Sequence, residues 1–270
     1  MEPKTKPALL SSSFVGSAGG AAVPPTVSLF GVAVSQMTYQ QTLTWLDQVV
    51  LAGRAPRACV FSANVDQLLR LHRDPMFRET YRAADLVVPD GMPVVWSARL
   101  LNKPLPERVT GIDLLLGLCR LAALHGRRCF FLGSHSEMVV AAAERLRVRF
   151  PGLPICGWHD GYFGDDPLVV ARINAARPDI LFVGMGSPLQ ETWLQRNFSC
   201  LTCRLALPVG GAFEVLAGKR QRAPWPVQKA GLEWAWRMAQ EPRRLWRRYL
   251  VDDLKFVPLV LRQLRRPPSA

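Results

Sequence analysis

Short apolar runs alternate along the chain with longer segments in which apolar residues recur every three or four positions. The short runs predict buried β-strands at residues 27–34, 58–62, 86–88, 128–133, 155–158, 180–184 and 205–210. The longer segments predict helices at residues 65–72, 112–125, 137–150, 167–176 and 189–198. Strands separated by helices are typical of an α/β fold, in which helices cover both faces of a mostly parallel sheet.

The pattern divides the chain of 270 residues into three parts. Residues 1–26 are rich in serine, glycine and proline and predict a flexible leader. This leader lacks the basic segment, apolar stretch and cleavage site of a signal peptide. Residues 27–217 hold the predicted α/β domain, and residues 218–270 form an appendage of different composition. Because no run of about 18 apolar residues is present, no transmembrane helix is expected and the protein should stay cytoplasmic.

The appendage carries most of the positive charge of the chain. From Lys219 onward there are thirteen basic residues against four acidic ones, which gives nine of the thirteen net positive charges. Tryptophans lie among these cations, and Trp246, Tyr249 and Leu250 share one face of a predicted helix. The mixture favours docking on an anionic membrane surface over binding to nucleic acid. From the residues alone, a solvated helix face is the alternative.

The spacing of the cysteines and histidines does not indicate a metal site or a redox site. Cys59 and Cys129 lie in apolar runs and predict buried thiols. Cys200 and Cys203 form a single CxxC pair without a matching second pair, and the four histidines show no i, i+4 spacing. Because no two aspartates are separated by one residue, the Asp-x-Asp pair of metal-dependent sugar-nucleotide transferases is missing too. We therefore expect no metal and no cofactor.

Small and polar residues cluster where several predicted strands end. The sheet of an α/β fold binds ligands beyond the carboxyl ends of its strands, where glycine lets backbone N–H groups approach phosphate oxygens. The candidates for such contacts are Gly133, Ser134, Gly186, Ser187, Gly210, Gly211 and Phe213. Several such ends favour a nucleotide-type ligand, although tight turns need glycine in any α/β fold. The spacing fits neither a Walker A loop nor GxGxxG, which argues against an ATPase or a dinucleotide oxidoreductase.

Asp90 is the strongest candidate for a catalytic group. It lies between Pro89 and Gly91, in a rigid turn that joins an apolar strand to an apolar segment. Apolar surroundings would raise the pKa of this carboxyl and suit it to general base catalysis. The alternative is an aspartate that caps the following helix. Nearby Arg108 could pair with a phosphate or carboxylate of a ligand, or with its neighbour Glu107.

Many short motifs, in order and in spacing, resemble one known family. They include SANVD at 62–66, ERVTG at 107–111, GSPLQE at 186–191, VGGAF at 209–213, RAP at 222–224, LEW at 232–234 and EPRRL at 241–245. Further blocks lie at 84–96, 131–133, 161–163 and 178–181. Together, from about residue 30 to residue 256, the chain resembles the WecG/TagA/CpsF glycosyltransferases, also called glycosyltransferase family 26.

The resemblance implies a Rossmann-like fold and an inverting, metal-independent transfer of a hexose from a UDP-sugar. The acceptor would be a polyprenyl-diphosphate-linked saccharide, in the biosynthesis of a cell-surface polysaccharide or exopolysaccharide. Asp90 would be the catalytic base, and Asn64 and Gln190 would be active-site residues. Ser62 stands where the family has an active-site threonine, which keeps the hydroxyl and loses a methyl group.

The same resemblance assigns the appendage two tasks, membrane docking and contact with diphosphate. The arginines in the matching region are Arg222, Arg243, Arg244, Arg247 and Arg248. The expected partners are the UDP-sugar (with N-acetylmannosamine, its uronic acid or glucose), the lipid-linked acceptor and an anionic membrane surface at the inner face of the plasma membrane. A homo-oligomer is compatible with this picture. Two other functions stay open, a basic nucleic-acid-binding protein and a non-catalytic nucleotide-binding module.

Overall fold

The computed structural model describes residues 23–265, with the side chains of Arg244 and Arg248 outside that description. Most of the predicted leader, residues 1–22, and the last five residues of the appendage also lie outside it. A hairpin comes first, with β1 at Thr26–Leu29 and β2 at Val32–Ser35. The larger sheet contains β3 Ala58–Ala63, β4 Leu86–Pro89, β5 Cys129–Gly133, β6 Ile155–His159, β7 Ile180–Gly184 and β8 Leu205–Pro208.

These six strands are all parallel and lie in the order β4-β3-β8-β7-β5-β6, which confirms the predicted α/β fold. The helices that connect them are α1 Tyr39–Trp45, α2 Val65–Arg73, α3 Pro75–Arg82, α4 Met92–Leu100, α5 Gly111–His125, α6 Ser136–Arg149, α7 Asp166–Ala176, α8 Leu189–Asn197 and α9 Ala212–Leu216. A π-helical stretch, Leu46–Leu51, continues α1, and a short 3-10 turn, Phe198–Cys200, follows α8.

The core lies on both faces of the sheet because alternate side chains of each strand point to opposite faces. In β5, Phe130 and Leu132 pack with α2, α3, α7 and α8 on one face. Phe131 packs with α1, α5, α6 and α9 on the other. All three of these side chains are buried, at about 1.5–3 kcal/mol of hydrophobic stabilisation each. The strands thus read as continuous apolar runs, which is why the pattern located them well.

Two predicted strand boundaries were wrong. Residues 27–34 form the β1–β2 hairpin and not one strand, because Phe30 and Gly31 take φ angles of 52° and 88° and reverse the chain. The last strand ends at Pro208 and not at Gly210, since Gly210 has a φ of 53° and turns away from the sheet. Phenylalanine is rare in the left-handed region, so nothing in the apolar pattern indicated a turn at Phe30.

The appendage is helical, as predicted. It contains α10 Trp225–Lys229, α11 Glu233–Gln240, α12 Pro242–Arg247 and α13 Phe256–Leu264, with a π-helical turn Arg248–Asp252 and a 3-10 turn Asp253–Lys255 before α13. None of the helices in the part of the chain that the structure describes is long and apolar enough to span a bilayer.

The far end of the appendage is fixed to the hairpin. Phe256 and Val260 of α13 are buried in the core on the sheet face that α2, α3, α7 and α8 cover, and the ring of Phe256 lies 5.0 Å from that of Phe30. The backbone N–H of Phe30 donates to Oε1 of Gln263 at 3.3 Å. The apolar face of α13 is thus packed on the hairpin, whereas several other residues of the appendage stay exposed.

Candidate active site

The carboxyl ends of the parallel strands bring the predicted loops to one edge of the sheet. The backbone N–H of Asp90, after β4, donates to the carbonyl of Ala63 at the end of β3 at 2.9 Å. On the other side, the N–H of Ser134 after β5 donates to the carbonyl of Gly184 at the end of β7 at 2.8 Å. Loops that lie far apart in sequence therefore form one continuous rim, which we call the catalytic edge.

Asp90 lies on this edge as a partly buried carboxyl. The helix-cap alternative is wrong, because the residue that caps α4 is Gly91, with a φ of 118° and no side chain to donate or accept. The pKa of Asp90 is raised to about 6, with burial as the main cause; Arg108 and Arg237 oppose the rise, and Glu233 adds to it. A carboxylate with this pKa is ionised at neutral pH and is a stronger base than an exposed one.

Arg108 pairs with the appendage and not with its neighbour Glu107. Its Nη1 lies 2.7 Å from Oε2 of Glu233 on α11, and both side chains are mostly buried. Glu107 instead accepts a hydrogen bond from the backbone N–H of Tyr39 at 2.6 Å. The ion pair thus joins the loop before α5 to the appendage, next to Asp90.

Arg222 forms a second link between the appendage and the catalytic edge. Its guanidinium contacts both carboxylate oxygens of Asp113 at 2.7 and 2.8 Å, while the hydroxyl of Thr110 donates to the same carboxylate at 2.6 Å. Burial works against ionisation of Asp113, but the bonds from Arg222 and Thr110 outweigh it and lower the pKa. The Nε of Arg222 is buried and has no hydrogen-bond partner among the described residues.

A cavity of about 110 Å³ lies where the appendage meets α5 and α9, and Glu233, Arg237 and Arg222 line it. Arg222 also lines a wider groove of about 580 Å³ over α5 and α6. That groove has an apolar floor that includes Leu116 and Leu146, and its cations are Arg145, Arg149, Arg220 and Arg222. The carboxyl side of the sheet is therefore bordered by arginines on the side of the appendage.

Ser62, Asn64 and Gln190 all lie at the catalytic edge. Ser62 is the last residue but one of β3, and its carbonyl accepts from the hydroxyl of Tyr81 at 2.7 Å. Asn64 caps α2, where its side chain accepts from the backbone N–H of Gln67 at 3.2 Å. Gln190 accepts from the backbone N–H of Gly210 at 3.0 Å. The structure thus brings the three residues to one rim without showing a substrate on any of them.

The predicted glycines do not all face open space. A side chain at Gly133, whose φ is 135°, would lie 2.4 Å from the backbone of Gly184, so this glycine serves the close approach of β5 and β7. Gly186 has a φ of 80° and faces open space. The N–H groups of Ser134 and Gly210 are already used inside the protein, by Gly184 and by Gln190. Gly186 is thus the best placed of these residues for a close ligand.

Phe213 has a packing role. Its side chain has no exposed surface and lies edge-on to Phe131 at 5.7 Å, so we assign it to the core and not to the ligand site. Gly211 precedes it as the N-cap of α9. The hydroxyl of Ser187 is buried at the start of α8. A phenylalanine after two glycines gives no sequence signal that separates a core ring from an exposed one.

Arg243 and Arg247 lie exposed on α12, whereas Arg108, Arg237 and Arg222 act electrostatically on Asp90. Arg237 was not among the predicted site residues, and neither was Glu233. Glu233 lies within the LEW motif at 232–234 and Arg237 lies one helical turn after it, but only the folded chain shows their proximity to Asp90. The side chains of Arg244 and Arg248, for which contact with diphosphate is predicted, lie outside the part of the chain that the structure describes.

Sequence reasoning also missed an aromatic pair and a carboxylate at the other end of the catalytic edge. The rings of His135 and Tyr162 stack at 4.4 Å on the loops after β5 and β6, and both are exposed. Glu214 accepts from the hydroxyl of Ser134 at 3.1 Å through Oε1, while its buried Oε2 has no partner among the described residues. Tyr162 belongs to the motif at 161–163.

No group of three or more histidine, cysteine or acidic side chains within residues 23–265 is arranged to hold a metal ion. Cys59 and Cys129 are buried, as predicted. Of the CxxC pair, Cys200 is exposed and Cys203 is buried, and burial raises the pKa of Cys203 to about 12. Cys203 therefore stays a thiol at neutral pH.

Comparison with known proteins identifies the family. The model of the "Glycosyl transferase WecG/TagA/CpsF family" matches residues 27–270. A protein of Bacillus spizizenii, named N-acetylglucosaminyldiphosphoundecaprenol N-acetyl-beta-D-mannosaminyltransferase, is 34% identical over 208 residues, which cover 77% of this chain and 80% of that protein. A Staphylococcus aureus protein of the same name is 33% identical over 241 residues, 89% of this chain and 92% of its own length.

These similarities are to enzymes, so the non-catalytic module and the nucleic-acid-binding protein are set aside. The match includes both the parallel sheet with its catalytic edge and the appendage that closes on it. The chain belongs to the WecG/TagA/CpsF family of glycosyltransferases and is an enzyme of the hexosyltransferase type.

Proposed function

We propose that this enzyme transfers N-acetylmannosamine, a related sugar or glucose from a UDP-sugar to a polyprenyl-diphosphate-linked saccharide, with inversion and without a metal ion. The observation that carries the proposal is Asp90, a carboxyl whose pKa is raised to about 6 at the carboxyl edge of the sheet, with Arg108 and Arg237 beside it. The names of the relatives, which contain a diphosphoundecaprenol-linked sugar, support the lipid-linked acceptor.

The far end of the catalytic edge suits a nucleoside. The exposed ring of Tyr162, backed by His135, offers a surface on which a uracil base can stack. The Oε2 of Glu214, which has no partner among the described residues, can accept from ribose hydroxyls, as carboxylates do in related α/β folds. Gly186, between these groups and Asp90 along the rim, would let the diphosphate approach the backbone.

The chemistry is then a single displacement. Asp90 removes the proton of the acceptor hydroxyl while its oxygen forms a bond to the anomeric carbon of the donor sugar. The bond from that carbon to the diphosphate oxygen breaks, and UDP leaves with the electron pair. Attack from the face opposite to the leaving group inverts the configuration. Arg108, Arg222 and Arg237 supply positive charge for the leaving diphosphate, the task that a divalent ion performs elsewhere.

The appendage, taken as residues 218–270, would hold the enzyme on an anionic membrane at the inner face of the plasma membrane. Its exposed apolar side chains include Trp225, Trp246, Leu250, Leu254 and Val257. They lie among lysines and arginines, each of which contributes about 1 kcal/mol near such a surface. This arrangement would place the catalytic edge where a lipid-linked acceptor is found. A homo-oligomer is part of the same proposal.

Replacing Asp90 by asparagine tests the catalytic assignment. Turnover of UDP-N-acetylmannosamine or UDP-glucose with a short-chain polyprenyl-diphosphate N-acetylglucosamine should fall about 10²–10⁴-fold, because the base is lost. Binding of UDP, followed by isothermal titration calorimetry, should change little. Glu79→Gln on the exposed surface of α3 is the matched control and should keep full turnover. Near-normal turnover of Asp90→Asn would refute the assignment, and a panel of UDP-sugars would identify the donor.

A further inference from the structure

A buried carboxylate joins three loops of the catalytic edge. Glu191, the third residue of α8, has only 1% of its surface exposed. Its Oε1 accepts from Nε2 of Gln190 at 2.9 Å and from Nε2 of Gln67 at 3.3 Å. A buried carboxylate is costly unless several hydrogen bonds stabilise it, so its presence here calls for an explanation.

The first of these bonds ties Glu191 to the loop after β3. Gln67 and Asn64 form a reciprocal helix cap, in which the backbone N–H of Asn64 donates to Oε1 of Gln67 at 2.8 Å. Because the oxygen of the Gln67 amide is fixed by this cap, its Nε2 must face Glu191. Glu191 is thereby hydrogen-bonded to the segment that directly follows β3, the strand that contains Ser62.

The second bond fixes the amide of Gln190. Its Oε1 accepts from the backbone N–H of Gly210 at 3.0 Å, and its Nε2 donates to Glu191. If the amide were flipped, its oxygen would face the carboxylate and its NH₂ would face the N–H of Gly210, so both contacts would be repulsive. One hydrogen on Nε2 is used by Glu191, and no described residue accepts the second, on a side chain that is only 3% exposed.

We propose that Glu191 is a positioning residue for sugar transfer, acting through Gln190, whose remaining N–H it holds toward an oxygen of the bound sugar nucleotide. The proposal rests on the proposed function, since it takes Gln190 as a substrate contact. A carboxylate suits this task because it only accepts hydrogen bonds and can serve both amides at once. Burial raises the pKa of Glu191, while its bonds to Gln190 and Gln67 oppose that rise.

The test compares two substitutions at Glu191 in the full chain. Glu191→Met is close in volume and removes the acceptor, so kcat/KM should fall about tenfold or more with the UDP-sugar and the short-chain acceptor. Glu191→Gln keeps an acceptor oxygen for both amides and should stay within about threefold of the wild type. Glu79→Met on the exposed face of α3 is the matched control and should leave kcat/KM unchanged. Because Glu191→Met leaves the amides of Gln190 and Gln67 without their acceptor, it should lower the melting temperature, and thermal melting checks that the variant is folded at the assay temperature.

A double-mutant comparison separates positioning from general structural damage. If Glu191 acts through Gln190, adding Glu191→Met to Gln190→Ala should lower kcat/KM less than twofold further. Equal losses from Glu191→Met and Glu191→Gln would overturn the proposal, and so would a tenfold loss that persists in the Gln190→Ala background. Should Glu191→Met fail to fold, Glu191→Asp withdraws the carboxylate by one methylene and is expected to give the same tenfold loss.

The experiment also separates this proposal from the proposed function. If Gln190→Ala is fully active while Asp90→Asn is inactive, the positioning role is wrong and the catalytic assignment stands. If Asp90→Asn is itself active, the proposed function is wrong.

Discussion

The raised pKa of Asp90 predicts that this carboxylate, when ionised, destabilises the folded protein. The pKa rises from an ordinary 3.8 to about 6 in the folded chain, with burial as the main cause. Between these values the folded state binds a proton that the unfolded state has lost, so stability falls as pH rises through this window. Each unit of pKa corresponds to about 1.4 kcal/mol, which gives a loss of about 3 kcal/mol at pH 7 and about half of that at pH 5.

Asparagine resembles the protonated carboxyl and avoids this loss. Asp90→Asn should therefore be more stable than the wild type by about 3 kcal/mol at pH 7 and by much less at pH 4. The assay is urea unfolding of both proteins across this pH range, read from tryptophan fluorescence. Glu79→Gln, an exposed carboxylate, is the control and should change the free energy of unfolding by less than about 0.5 kcal/mol. A stability difference that does not change with pH, or a destabilised Asp90→Asn, would refute the reasoning.

Three other outcomes are expected. Because Glu233 raises the pKa of Asp90, Glu233→Gln should move the acidic limb of the kcat/KM–pH profile to lower pH, and an unmoved limb would contradict that coupling. Trp246→Ser should weaken cosedimentation with phosphatidylglycerol vesicles several-fold, with activity on a short-chain acceptor unchanged, whereas unaltered cosedimentation would exclude this ring from docking. Gly133→Ala should destabilise the protein by about 2 kcal/mol or more, since the new methyl group would meet the backbone of Gly184. Differential scanning calorimetry measures this loss, and an unchanged melting temperature would contradict the prediction.

The sheet was predictable because its strands are buried on both faces, and the apolar runs at β3, β5 and β7 reflect that burial directly. The hairpin was not predictable, since its turn contains Phe30, and residue propensities do not predict a positive φ for phenylalanine. Burial patterns thus locate central strands well and tight turns poorly.

The candidate site divides in the same way. Asp90 was recognisable because a proline and a glycine fix its turn at the end of a strand. Arg108 and Glu233 are 125 positions apart in the sequence, and no local spacing pattern predicts their ion pair. Phe213 belongs to the core although its motif borders the ligand edge, because only the packing of Phe131 against it decides where its ring points.

The two ends of the appendage are held by different parts of the protein, Arg222 by Asp113 and Phe256 by the hairpin at Phe30. Glu233 and Arg237 lie between these two attachment points, so the chain itself holds both side chains near Asp90. Tethering of this kind gives effective concentrations in the millimolar range or above without any extra contact. A separately expressed appendage would lack this tether, so splitting the chain at this boundary should lower activity at micromolar protein.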